Sequence, residues 1–220
     1  SRNLPMKRAF GITLIFALVS SMACASGGRS GASDPSNDTA TLAGYAGRAV
    51  LVLPLQQVSE NPGVTSSRSD AAMAFREAMD YEIRFAFGDS PPARWVFGPA
   101  IIESSRRNIG VSADPLKLSV EGLTEKLPEP EESVSETLRT QLRQLIALTD
   151  ARYVLLPVNV RSLNSGSTGM RRATMRVVLI DARLAQVRWA EDISTEPAPL
   201  LNRSVAASLA SRLAVMAGLR

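Results

Sequence analysis

The chain has 220 residues, with 25 lysines and arginines against 21 acids for a formal net charge of +4, and it contains one cysteine and no histidine. The missing imidazole excludes Ser-His and Cys-His nucleophile systems, histidine general bases and the usual zinc sites. A single cysteine excludes a disulfide within the chain.

The first element in chain order has three zones. Lys7 and Arg8 are positive, residues 9–19 (AFGITLIFALV) are apolar, and residues 20–23 are small and weakly polar. This is the layout of a secretory signal whose apolar core is shorter than a membrane-spanning helix requires, and Met6 reads as its initiator. The stretch SSMAC closes it and holds Cys24, between a cleavable segment and a polar stretch, where no core exists to bury a thiol. The pattern resembles the lipobox of bacterial lipoproteins, in which the cysteine receives a diacylglyceryl group and the signal is cut before it. That resemblance implies a signal peptide over residues 1–23 and lipidation at Cys24. Because Ala25 rather than Asp follows, it also implies a membrane anchor at the periplasmic face of the outer membrane. Cleavage removes Arg2, Lys7, Arg8 and no acid, which lowers the net charge from +4 to +1. Arg106-Arg107 and Arg171-Arg172 are isolated basic pairs, so no nucleic-acid partner is expected.

Residues 24–44 hold the lipidated cysteine and a Gly-, Ser-, Asp- and Thr-rich tether with almost nothing to bury. Residues 45–220 amount to one domain. Within it, residues 48–55 (RAVLVLPL) form an aliphatic run without polar alternation, as in a strand covered on both faces. Residues 56–69 read as a loop, and Asp70 as the N-cap of a helix reaching about Phe87, with Phe75, Met79, Ile83 and Phe87 as its apolar stripe. Residues 94–97 predict a short strand, and Pro99 to Arg107 a helix with proline in its first turn. Residues 111–132 carry three prolines and many glutamates, and are expected to be a mobile loop dispensable for folding. Ser133 and Glu136 have capping-box spacing, and Leu138, Leu142, Leu145 and Ile146 continue as a helix. Three strands follow over residues 152–161, 170–181 and 187–194, with connections too short for parallel crossovers. Pro157 in the first of them demands an edge or a bulge. Leu201, Val205, Leu209, Leu213 and Met216 line a closing helix. The order β-α-β-α-α-β-β-β-α predicts an α/β (α+β) fold: a mixed sheet of about five strands with a C-terminal antiparallel meander, covered by helices.

The last hairpin is the most defined local pattern. Asp181 can accept turn amides, while Val187 and Trp189 at period two are expected to face one side. The role is structural, and both Trp189 and Trp95 read as packing rather than as ligand platforms. Glu121, Glu125, Glu129, Glu131 and Glu132 read as a solvated acidic loop. A glycosidase pair would need a cleft with sugar-stacking aromatics, and aromatics are only 5% of this chain. Residues 166–169 (GSTG) read as a turn, not a nucleophile elbow. No catalytic residue, metal or cofactor is expected.

Three segments carry a family resemblance: AVLVLPL (49–55), ARYVLLPVNV (151–160) and MRVVLIDARLAQVRWAEDI (175–193). Together they resemble the TolB amino-terminal-like fold shared by the LpoB and CsgG lipoprotein families. There a strand reading YVL leads to a hairpin whose turn begins at Asp, and Asp181, Val187 and Trp189 occupy the matching places. The resemblance implies a non-catalytic protein-binding module in cell-envelope assembly, with an envelope protein as partner and an open oligomeric state. The alternatives are a subunit of a CsgG-like secretion assembly and a carboxylate-dependent hydrolase. A pore subunit needs strands of alternating residues long enough to cross a membrane, and residues 111–132 lack that pattern.

Overall fold

Two prolines, Pro157 within a strand and Pro54 in a break between two strands, organise the sheet, because each removes a donor from the hydrogen-bond ladder. The computed structural model describes residues 42–45, 47–59, 69–88, 93–108, 110–165 and 169–219. The expected signal peptide, Cys24, the tether up to residue 41 and the turn residues 166–168 lie outside the described residues. Six strands form one sheet: β1 (Ala49–Val52), β2 (Gln57–Ser59), β3 (Arg94–Phe97), β4 (Tyr153–Asn164), β5 (Arg171–Asp181) and β6 (Gln186–Ser194). Their order is β3-β1-β4-β5-β6, with β2 also paired to β4. β1 is parallel to β3 and β4, and β4, β5 and β6 are successively antiparallel. The mixed sheet and its antiparallel meander agree with the element order in the sequence. The addition is β2, which lies where a loop was expected and pairs in parallel with residues 159–161 of β4.

At Pro54 the strand breaks between β1 and β2, and the gap is bridged by Leu53 N–H to Leu155 O (3.0 Å) and Gln56 N–H to Pro157 O (3.1 Å). Facing this break, the register of β4 against β5 slips by one residue between Pro157 and Asn159. β4 lies inside the sheet, so the proline's demand is met by a bulge and not by an edge. Side chains alternate along a strand, so one extra residue reverses which face each later residue enters. Tyr153 and Leu155 join one apolar cluster and Val154, Leu156 and Val158 the other, yet after the slip Val160 joins the first.

The first face is covered by α1 (Asp70–Phe87) and α5 (Arg203–Met216). The stripe Phe75, Met79, Ile83 and Phe87 is buried as its spacing predicts, against Val205, Leu209 and Leu213 of α5. Each such side chain contributes about 1.5–3 kcal/mol. The N-cap of α1 is Ser69, whose hydroxyl accepts from Ala72 N–H, and Asp70 is the first helical residue rather than the cap. Leu42, placed in the tether by its sequence context, is buried in this cluster. Tyr45 meets Tyr153 edge to face at 4.8 Å, and Arg48 donates to the Tyr153 hydroxyl at 2.8 Å. The chain therefore enters the domain beside the first residue of β4.

The second face is covered by α2 (Gly98–Arg107), α3 (Glu121–Glu125), α4 (Glu136–Ile146) and the irregular chain between them. Here the expectation of a mobile, dispensable segment over residues 111–132 is corrected. Leu118, Val120 and Leu123 are buried with Ile101, Leu138, Leu142 and Leu145 in the second cluster. The prolines do prevent regular pairing, but side chains take over as partners for the backbone. Gln56 donates to Pro115 O at 3.0 Å and accepts from Leu118 N–H at 3.0 Å, Arg76 donates to Leu116 O, and Gln141 accepts from Ser119 N–H. Residues 131–134 then line the edge of β6, with Val187 N–H to Glu132 O at 2.9 Å and Val134 N–H to Ala185 O at 3.0 Å. That pairing draws Ser133 into a bridge with Gln186, so Ser133 does not cap α4. Ser135 does, accepting from Leu138 N–H. No helix among the described residues is long and apolar enough to cross a membrane.

Candidate functional site

Asp181 ends β5 with its side chain fully buried (0% exposed). It accepts the amides of Arg183 (3.1 Å) and Leu184 (3.2 Å), which closes the turn, and the Nε of Arg152 at 2.9 Å. Burial alone would raise its pKa, but the Arg152 guanidinium and the two amides outweigh it and hold the carboxyl below the usual carboxylate range. Ala185 in the same turn sits at a φ of 60°, the left-handed region that a tight hairpin requires. Val187 and Trp189 correct the period-two reading. A second register slip, between Leu179 and Ile180 of β5 where they meet β6, puts the extra residue Arg188 between them. Val187 consequently lies in the second cluster and Trp189 in the first, on opposite faces of the sheet.

A second cluster lies farther along β6 and has no counterpart in the sequence reading. Asp192 accepts Arg176 Nε at 2.8 Å and Nη2 at 2.9 Å in a two-pronged pair, and Arg161 Nη2 at 3.0 Å. The bonds from Arg176 are the main reason its carboxyl is held below the usual range. Arg176 is buried and also donates to Leu123 O (3.0 Å) and Thr124 O (3.2 Å) at the end of α3. The visible signal was a lone arginine inside the aliphatic run MRVVLID. A charge at such a position stays only when it is paired.

Asp80 on α1 is the third unusual carboxylate. It accepts the Leu55 amide at 3.1 Å beside the broken strand. Burial pushes its pKa up to about 6 against the opposing pull of the Leu55 amide, Arg76 and Arg84. Its surroundings are Ile83, Phe97, Gly98 and Pro54, and they leave space for about one water. No sequence pattern marked it.

The outer side of α1 differs from all of these. Tyr81 (47% exposed) and Phe85 (75% exposed) are one helical turn apart. The Arg203 guanidinium lies 4.8 Å from the Tyr81 ring while its Nε donates to Glu82 at 2.6 Å. Aromatics backed by arginine are what interface cores are rich in.

Chemically, Asp181 and Asp192 are neutralised by arginines and Asp80 is a single carboxylate in a narrow space. Among the described residues, no three Asp, Glu, Cys or His side chains converge to hold a metal. The glutamates of residues 121–132 lie at exposed positions.

The fold defines the class: a mixed α/β sheet with helices on both faces and an antiparallel C-terminal meander. No protein-family model and no curated protein matches the chain. Solved structures similar to it include the LpoB C-terminal domain from Escherichia coli, at 12% identity over 69% of this chain and 84% of that one, with a TM-score of 0.36. Lipoprotein GNA1162 from Neisseria meningitidis is 13% identical over 76% and 94%, with a TM-score of 0.38. The PelC dodecamer from Paraburkholderia phytofirmans is 14% identical over 80% and 90%, with a TM-score of 0.34.

Proposed function

We propose that this chain is a lipoprotein of the bacterial envelope that acts by binding a protein partner rather than by catalysis. On this reading residues 1–23 are removed, Cys24 carries the acyl chains, and residues 25–41, ahead of the buried Leu42, tether one domain to the periplasmic face of the outer membrane. The SSMAC motif after a short apolar core supports the anchor. The observation that carries the binding role is the outer face of α1. A solvent-exposed Phe85 one turn from Tyr81 has no role in the domain's own core, whereas an interface uses such aromatics as anchors. The buried carboxylate of Asp181 and the half-buried one of Asp192 are tied to arginines, which suits fixed geometry better than proton transfer.

A photo-crosslinking residue placed at Phe85 in cells tests the binding role. It should give one discrete adduct, and the same residue at Glu136, across the sheet on α4, should not. Equal or absent adducts at the two positions would remove the α1 surface from the reading. Metabolic labelling with a palmitate analogue tests the anchor separately: the wild type should be marked and Cys24→Ser should not.

A further inference from the structure

We propose that Asn159 and Arg161 form a binding site for a ligand that presents an amide beside a carboxylate, the chemistry of a peptide's carboxyl end. The bulge in β4 creates the arrangement. In register, Asn159 lies opposite Arg176 and Gln57, and Arg161 opposite Thr174 and Ser59. Directly opposed residues share a face, as do residues two apart on one strand, so Asn159, Arg161 and Arg176 project together on the second face. Without the slip, Asn159 would enter the apolar cluster under α1 and α5, where Val160 now sits.

Asn159 is 4% exposed, and its carboxamide oxygen has no hydrogen-bond partner among the described residues. A buried carboxamide oxygen without a partner is rare, because its water bonds are given up for nothing. The adjacent charges are unbalanced in a way that points to the ligand. Arg176 already pairs with Asp192 through two bonds, so Arg161 is a second cation on a carboxylate that one guanidinium neutralises. Its Nε is buried and unpartnered among the described residues, while about a third of its side chain stays open to solvent. Thr174 and Ser194, 2.9 Å apart, line the same face with hydroxyls that can still bond outward.

A simple anion satisfies Arg161 but offers no proton to the Asn159 oxygen. An amide next to a carboxylate satisfies both, since a carboxamide offers an acceptor and donors together and a guanidinium favours carboxylate. The site is roughly 20 Å along β4 from Tyr153, where the chain enters the domain. It is also across the sheet from α1, so it does not depend on the Phe85 surface.

The test is an NMR titration of the full ¹⁵N-labelled chain with N-acetylglycine, following the side-chain signals of Asn159 Nδ2 and Arg161 Nε. Both should move saturably, and acetate or N-methylacetamide should bind at least about tenfold more weakly. Asn159→Leu should raise the Tm and abolish the movement at Arg161. Arg161→Gln, at a half-open position, should keep the fold and reduce N-acetylglycine to the level of N-methylacetamide. Absence of saturable movement in the wild type overturns the proposal. So does acetate binding as tightly as N-acetylglycine, or binding unchanged in Arg161→Gln, which decides alone if Asn159→Leu does not fold.

Discussion

The two faces of the sheet are closed by different means. α1 and α5 cover the first with regular helices whose apolar stripes interdigitate, and most of its backbone bonds run within those helices. The second is closed by two short helices, one five-residue helix and irregular chain, and its backbone is satisfied through Gln56, Arg76, Gln141 and Arg176. Apolar contact is tolerant of small shifts, whereas a side chain bonded to a loop carbonyl works at one distance and angle. The first face should therefore fail gradually under substitution and the second at a few polar positions.

The largest expected effect is at Arg176. Arg176→Met leaves Asp192 half-buried without its main partner and two carbonyls of the α3 end unbonded, and should destabilise by about 3–5 kcal/mol in urea denaturation. A loss below about 1 kcal/mol would mean that the second face holds by packing after all.

Asp80 sharpens the contrast from the first face, as a polar tie of α1 that works against stability at neutral pH. Its folded pKa of about 6 lies above the ordinary carboxylate value, so the folded state favours the protonated form. The associated stability is complete below about pH 4 and is lost as pH rises through about 6, up to about 3 kcal/mol. Asp80→Asn keeps an acceptor for Leu55 N–H, so relative to wild type it should gain stability at pH 7 and little at pH 4. A flat difference between the two pH values would exclude Asp80 as the source.

Gln56→Leu should cost about 2 kcal/mol by unpairing Leu118 N–H and Pro115 O. Hydrogen exchange should quicken at Leu118 and stay unchanged at Leu209 in α5. Equal acceleration at both would show that the faces open as one unit. Phe85→Ser is the smallest, within about 0.5 kcal/mol by thermal melting, because its ring has no core to leave.

The same contrast decides what the sequence disclosed. The first face was written in periodicity: Phe75, Met79, Ile83 and Phe87 named the buried side of α1, and Val205, Leu209 and Leu213 that of α5. The short links around β5 fixed the antiparallel meander, and Pro157 announced its bulge. The second face was illegible because its order rests on contacts far apart in sequence. Nothing local to Leu118 shows that Gln56 awaits it, and prolines and glutamates there describe a loop whether or not it is tied down. The slip at Arg188 is silent for the same reason, so Val187 and Trp189 looked like one row. Of the polar groups argued to matter, Asp181 showed its turn chemistry in sequence. Asn159 and Arg161 did not, because their shared face depends on a neighbouring strand's register.

The extra residue in β4 acts like a shift of reading frame. Upstream of it odd-numbered positions speak to α1 and α5, and downstream even-numbered ones do. A point substitution edits one letter of that strand. Closing the bulge with Val158 retained would instead exchange the whole downstream half, sending Asn159 and Arg161 into oil and Val160 to the opposite face in a single event, whereas deleting Val158 would leave that half as it is. The strand can thus keep a hydrophobic half and a polar-lined half in one continuous ladder, with one inserted residue as the entire difference between them.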